Sequence, residues 1–139
     1  MQYVIQEGVQ GICPDGWHIP TDEEWKQLEG EVDSQYGYPD PEWDNEGFRG
    51  FDVGKNLKST TGWTFGGNGI DSFGFNALPA GTYNPTWMFS SIEYDGLWWL
   101  SSGGYTYAWD RDISNNHDNV LRVHTSSMEE GHSVRCLKD

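Results

Sequence analysis

The sequence predicts an α+β fold with an antiparallel sheet, and three observations predict it. Helical signals lie in the first half of the chain and strand signals in the second, the order expected of segregated helices and strands. The strand-like stretches are short and set apart by turn residues. The 139 residues include 18 glycines spread along the chain, which implies many turns and loops. The length suits one domain over 1–139 with a real core. No internal repeat, low-complexity segment or linker divides it.

The elements follow in order. "QYVIQ" (2–6) reads as a short strand ending in a glycine-marked turn. In "CPDGWHIPTDEEWKQLEG", the "PDG" is a turn and "TDEE" a capping box, with Thr21 capping a helix and Glu24 reaching back. Acidic residues in the first turn suit the helix dipole. Trp25, Leu28 and Val32 share a face at helical spacing, so a helix is expected over about 22–32. Residues 33–48 are rich in Pro, Gly, acid and aromatics and read as a loop. A second helix is expected over about 49–58, with Phe51, Val53 and Leu57 inward. From "FNALPAGTY" onward the chain reads as short strands: "GLWWLSS", "TYAWDRDI", "NVLRVHT" and "HSVRCLK".

Composition narrows the function. Hydrophobic residues are 35% of the chain, a low share, but aromatics are 15%, so a core of few, large residues is expected. The net charge of −14 repels phosphate backbones and anionic lipids, which argues against nucleic acid and membrane as partners. No apolar run approaches a membrane span, and "MQYVIQEGVQ" lacks the basic start and apolar stretch of a signal peptide. Cys13 and Cys136 lie near opposite ends. Spacing leaves both a long-range disulfide and two reduced, buried thiols open.

The chemistry-bearing patterns are sparse. "DRDISNNHDN" offers hard oxygen donors from Asp110, Asp112, Asn115, Asn116, Asp118 and Asn119, but lacks the mid-loop glycine and closing glutamate of an EF-hand. No metal site or cofactor is expected; calcium is the one cation this turn would suit. The histidines at 18, 117, 124 and 132 lack zinc-site spacing. There is no nucleophile elbow, redox CxxC pair or phosphate loop. Carboxylate pairs of glycosidase type are a matter of spatial separation, which sequence does not display.

Six stretches, in order, carry a resemblance: "CPDGWHIPTDEEW" (13–25), "LKSTTGW" (57–63), "GFNALPAGTY" (74–83), "WWLSS" (98–102), "YAWDRDI" (107–113) and "GHSVRCLKD" (131–139). Together the chain resembles the Fibrobacter succinogenes major paralogous domain, a family of bacterial, often Bacteroidetes, surface modules. The resemblance implies a C-type lectin-like fold: two helices, a small twisted antiparallel sheet with long loops, and adjacent termini. It implies a Cys13–Cys136 disulfide, with Trp17 and Trp25 as core. Sulfatase activators of related fold use a late pair of cysteines, whereas this chain has only Cys136 late, so the resemblance implies the scaffold without the enzyme. The calcium-site motifs of sugar-binding lectins are absent too. The last third, "YAWDRDISNNHDNVLRVHTSSMEEGHSVRC", is similar to the display surfaces of retroelement-diversified phage and bacterial proteins, and its Tyr, Asn, Asp and Ser content suits adaptable binding.

Strand alternation then sorts the side chains. The resemblance implies that Trp109, Arg111, Ile113, Val120 and Arg122 are framework. Asp110, Asp112, Leu121 and Val123 would face outward, with "SNNHDN" at the tip. The expected binding residues are Tyr105, Tyr107, Asp110, Asp112, Asn115, Asn116, His117, Asp118, Asn119, Leu121, Val123 and His124, within a surface of about 105–127. The expectation is a non-catalytic module of a secreted or surface-displayed bacterial or phage protein, such as an adhesin or lipoprotein, that binds a protein or glycan. A degenerate sulfatase-activator-like or carbohydrate-active domain, and a structural repeat of a cell-surface protein, are the alternatives. Oligomeric state is not legible.

Overall fold

The computed structural model describes residues 6–86, 88–125 and 129–139. The elements are β1 (Trp17–His18), α1 (Asp22–Val32), a 3₁₀ turn (Pro41–Asp44), β2 (Gly47–Arg49), α2 (Val53–Leu57) and a second 3₁₀ turn (Thr64–Gly66). They continue with β3 (Thr82–Asn84), β4 (Met88–Ser90), β5 (Asp95–Gly103), β6 (Ala108–Ser114), β7 (Val120–Thr125) and β8 (Leu137–Lys138). The expected "QYVIQ" strand lies outside the described residues except for Gln6.

This architecture corrects the expected fold class. The described residues are mostly β, with eight strands in three sheets, and the helices have only 11 and 5 residues. They do not form the two-helix C-type lectin-like α+β arrangement with a small sheet. The central sheet has the order β2-β7-β6-β5, all antiparallel; β1-β8 and β3-β4 are separate two-stranded ribbons. Several strands are two or three residues long and pair with distant segments, as Trp17–His18 does with Leu137–Lys138. Strands so short carry no readable alternation, so propensity assigns them to loops.

The first helix forms where the capping box predicts. Thr21 Oγ1 accepts from the Glu24 amide (3.1 Å), and Glu24 Oε2 accepts from the Thr21 amide (2.8 Å). Glu24 Oε1 also meets His18 Nε2 at 2.9 Å, tying the cap to β1. Thr21→Ala is expected to cost about 1 kcal/mol, a modest drop in urea midpoint with an unchanged slope. The second helix is shorter than expected. It starts at Val53, so Phe51 lies before it and is 59% exposed, whereas Val53 and Leu57 are fully buried.

The core is built of few large residues, as the composition suggests. Trp25, Trp43, Trp63, Trp98 and Leu100 pack with Phe75, Val53, Leu57, Ile113 and Val120 between α1, α2 and one face of the central sheet. Trp25 meets Phe75 edge-on at 5.7 Å. Trp17, expected in the core, is instead 38% exposed, because β1 belongs to an outlying ribbon. That ribbon is stapled by the Cys13–Cys136 disulfide over a small cluster of Val9, Ile19 and Val134.

Between α1 and the sheet the core is ionic. Glu29 is fully buried and accepts from Arg49 and, at 2.7 Å, from Arg111 Nε. Asp22 takes Arg111 and Arg122 on its two oxygens, both at 2.7 Å.

Candidate functional site

The β6–β7 hairpin carries all the sequence-predicted binding residues except Tyr105 and Tyr107, which precede β6. The structure divides the set into three groups. Residues 126–127, the end of the expected surface, lie outside the described residues.

The first group is the turn. Asn115, Asn116, His117, Asp118 and Asn119 line a cleft of about 390 Å³ together with Phe51, Lys58 and the 66–68 segment. Three neighbours shape it. Lys58, 2% exposed, donates to the carbonyls of Ser114 (3.0 Å) and His117 (2.9 Å), so one ammonium pins both ends of the turn. Burial lowers the Lys58 pKa, partly offset by Asp118. The N-terminus of α2 closes one side: the Lys55 amide donates to the Asp118 carbonyl at 3.0 Å, and a Cβ on Gly54 would collide with the Asn119 carbonyl. The 64–69 segment closes the other: the Asn115 side-chain amide donates to the Thr64 carbonyl at 3.4 Å, and a Cβ on Gly67 would strike the Asn115 carbonyl. His117 stacks on half-exposed Phe48 with ring centres 4.0 Å apart.

The second group lies at the opposite end of the hairpin. Tyr105 is 88% exposed, and Tyr107 packs edge-on to His124 at 5.6 Å. Seven strand residues at ~3.3 Å each separate this end from the turn by roughly 20 Å, beyond the reach of one small ligand.

The third group overturns part of the expected surface. Asp110, Asp112, Leu121 and Val123 do share the sheet face opposite the core, in register with Trp99 and Leu97. That face is not freely displayed, however. Asp110 is 1% exposed, and Asp112, Leu121 and Val123 are half-buried. His132 lies flat on Trp99 (4.1 Å), with Nδ1 3.8 Å from Asp110 Oδ2 and Nε2 3.4 Å from Glu130 Oε2. Asp110 Oδ1 and Asp112 Oδ1 have no hydrogen-bond partner among the described residues. Burial pushes both carboxyls up to about 7, helped at Asp112 by Asp95 and Asp110, and opposed at Asp110 by Thr125 and then Arg111.

The sign of that shift gives a test. The folded chain holds these protons to higher pH than the unfolded chain, so stability falls as pH rises from about 4 to about 7 and then levels. His132, lowered by burial, acts oppositely only below its ordinary 6.5. His18, raised by Asp139 and Glu24, adds to the fall above 6.5. The melting temperature is therefore expected to drop between about pH 5 and 7, the two carboxyls outweighing His132, and Asp110→Asn with Asp112→Asn should flatten most of that drop. A rising curve over this window in the unmodified protein would contradict the burial.

Several cleft residues escape the sequence reading. Lys58, Gly54, Gly67 and Asn68 lie 50 or so positions from the turn they meet, and nothing local marks them. Among the described residues no group of three His, Cys, Asp or Glu side chains is placed to hold a metal ion. No helix among them is long and apolar enough to cross a membrane. No curated protein and no solved structure matches the chain. The family model of the Fibrobacter succinogenes major domain matches residues 2–138, nearly the whole length, and the chain belongs to that family.

Proposed function

We propose that this chain is a non-catalytic binding module of a secreted or surface-displayed protein, holding a protein or glycan ligand in the cleft at the β6–β7 turn. One observation carries the reading: five consecutive polar residues, 115–119, line a single cleft whose shape is set by buried Lys58 and by close contacts at Gly54 and Gly67. A turn braced from three sides presents its side chains at little entropic cost on binding. The lining is amide-rich, with aromatics at its edge, the mix that adaptable recognition surfaces use. The buried carboxyls of Asp110 and Asp112 lie on the sheet face and do not line this cleft, which supports binding over acid–base chemistry there. The disulfide supports an oxidising compartment.

The test is a panel of immobilised glycans and purified extracellular proteins, with and without calcium, probed with the wild type and an Asn116→Ala/Asp118→Ala variant. Both side chains are exposed, so the variant should melt within a degree or two of wild type. Loss of a wild-type interaction in the variant is the expected result. An interaction that survives it unchanged places binding elsewhere and overturns this reading.

A further inference from the structure

We infer that the ligand of this cleft is a neutral oligosaccharide, with one sugar ring stacked on Phe65. The inference rests on the binding reading above and names the ligand class and a contact residue outside the turn.

Phe65 is 86% exposed and holds a left-handed backbone, φ 52 and ψ 30, inside the Thr64–Gly66 turn. An aromatic residue rarely takes that conformation, and here the fold gains no burial from it. Among the described residues its aromatic partner is Tyr94, itself 44% exposed, met edge-on at 5.8 Å. A strained, solvent-facing aromatic is an outlier that packing leaves unexplained. Its position gives it a use. Phe65 is followed directly by Gly66, Gly67 and Asn68, which line the cleft, and Asn115 reaches back with its amide side chain to the Thr64 carbonyl at 3.4 Å. Phe65 does not itself line the cleft, but the Tyr94 carbonyl accepts from the Asn115 amide at 2.8 Å, so the Phe65–Tyr94 pair adjoins the cleft wall.

The polar groups state what kind of ligand suits that surface. Asn68 Oδ1 accepts from the Trp63 amide, Asn116 Oδ1 from Ser114 Oγ, and Asn115 Nδ2 donates to Thr64, which leaves the Asn68 and Asn116 amide nitrogens and Asn115 Oδ1 as the donors and acceptor for adjacent hydroxyls. Charge argues for neutrality. Among the described residues the one Lys or Arg lining the cleft, Lys58, is committed to two carbonyls, and the chain carries −14 overall, so an anionic sugar is repelled. A cationic ligand would meet a single lining carboxylate, Asp118. Hydroxyl-rich and uncharged is the chemistry that remains, and a flat apolar sugar face is what an exposed phenyl ring covers.

The experiment is calorimetric titration of the intact chain with neutral glucan, mannan, xylan and galactan fragments, alongside uronic-acid and sulfated oligosaccharides at two salt concentrations. At least one neutral fragment should bind with affinity that salt does not change. Phe65→Ala should weaken it about tenfold, the size expected of a central aromatic contact, while Phe65→Trp keeps it. Phe65→Gly should weaken binding equally yet melt no lower than wild type, because glycine accepts the positive φ. Binding confined to charged oligosaccharides, a ligand found only among proteins, no binding to any fragment, or full affinity in Phe65→Ala would each overturn the inference. In the protein-ligand case the cleft reading stands if Asn116→Ala/Asp118→Ala still abolishes capture. If that variant binds normally, the cleft reading itself has failed.

Discussion

Glu29→Ala is expected to remove about 3–5 kcal/mol of stability, a large share of the roughly 5–15 kcal/mol that holds a typical domain folded. The reason lies in what would be left behind. Glu29 is fully buried and faces two guanidinium groups, Arg49 at 1% exposure and Arg111 at 0%. Burial, helped by the charges of Arg111 and Arg122, already lowers Arg49 to about 10 despite the carboxylate beside it. Asp22 cannot substitute, because both its oxygens are occupied by Arg111 and Arg122. Burial would raise the Asp22 carboxyl, yet Arg122 and Arg111 outweigh it and hold that group well below the usual carboxylate range. Removing the buried one of the two acids that serve three buried arginines strands charge in a medium that cannot solvate it. Glu29→Gln keeps the shape and one acceptor, and should recover part of the loss. Chemical denaturation of both variants checks this; an alanine variant within 1 kcal/mol of wild type would mean that water reaches the arginines.

Glu29 also shows where sequence reasoning stopped. Trp25, Leu28 and Val32 mark the inner stripe of α1 correctly, and Glu29 falls on the same stripe at four residues from Trp25, but a charge reads as solvent-facing. Its partners come from β2 and β6, 20 and 82 residues away, so nothing nearby in the chain announces them. The longer elements were legible for local reasons: the capping box sets the start of α1, and "GLWWLSS", "AWDRDI" and "VLRVHT" are long enough to show a strand pattern. The 33–48 stretch was not, because its order comes from one side chain. Asp33 accepts from the amides of Gln35 and Tyr36 on one oxygen and of Phe51, Asp52 and Val53 on the other, folding an acidic loop around a buried Trp43. In the candidate site, period-two alternation sorted the faces of β6 and β7 properly. It cannot say which face is covered, and His132 on Trp99 answers that from the far end of the chain.

Reducing the Cys13–Cys136 bond, or replacing both cysteines by serine, is expected to cost about 2–5 kcal/mol and lower the melting temperature by on the order of 10 °C. The bond joins residues 123 apart, so it restrains nearly the whole unfolded chain; the loop-entropy account puts that restraint near ~5 kcal/mol, toward the upper end. The native contacts that it secures are few. The β1–β8 ribbon has only the pairs Trp17↔Lys138 and His18↔Leu137, with the Asp139 amide donating to Gly16 and His18 Nδ1 meeting the Asp139 carboxylate at 2.6 Å. The cluster under it is small, and the main core between α1, α2 and the central sheet includes neither cysteine. Two effects should therefore separate. Global stability falls because the unfolded state gains freedom, and amide exchange should accelerate most at Ile19, whose amide bonds to the Val9 carbonyl, and across the ribbon, while β5–β7 keep their protection until global unfolding. Exchange that rises evenly through β6 and β7 would show instead that the ribbon and the central sheet open as one unit, and a melting temperature unmoved by reductant would show that the ends are held without the bond.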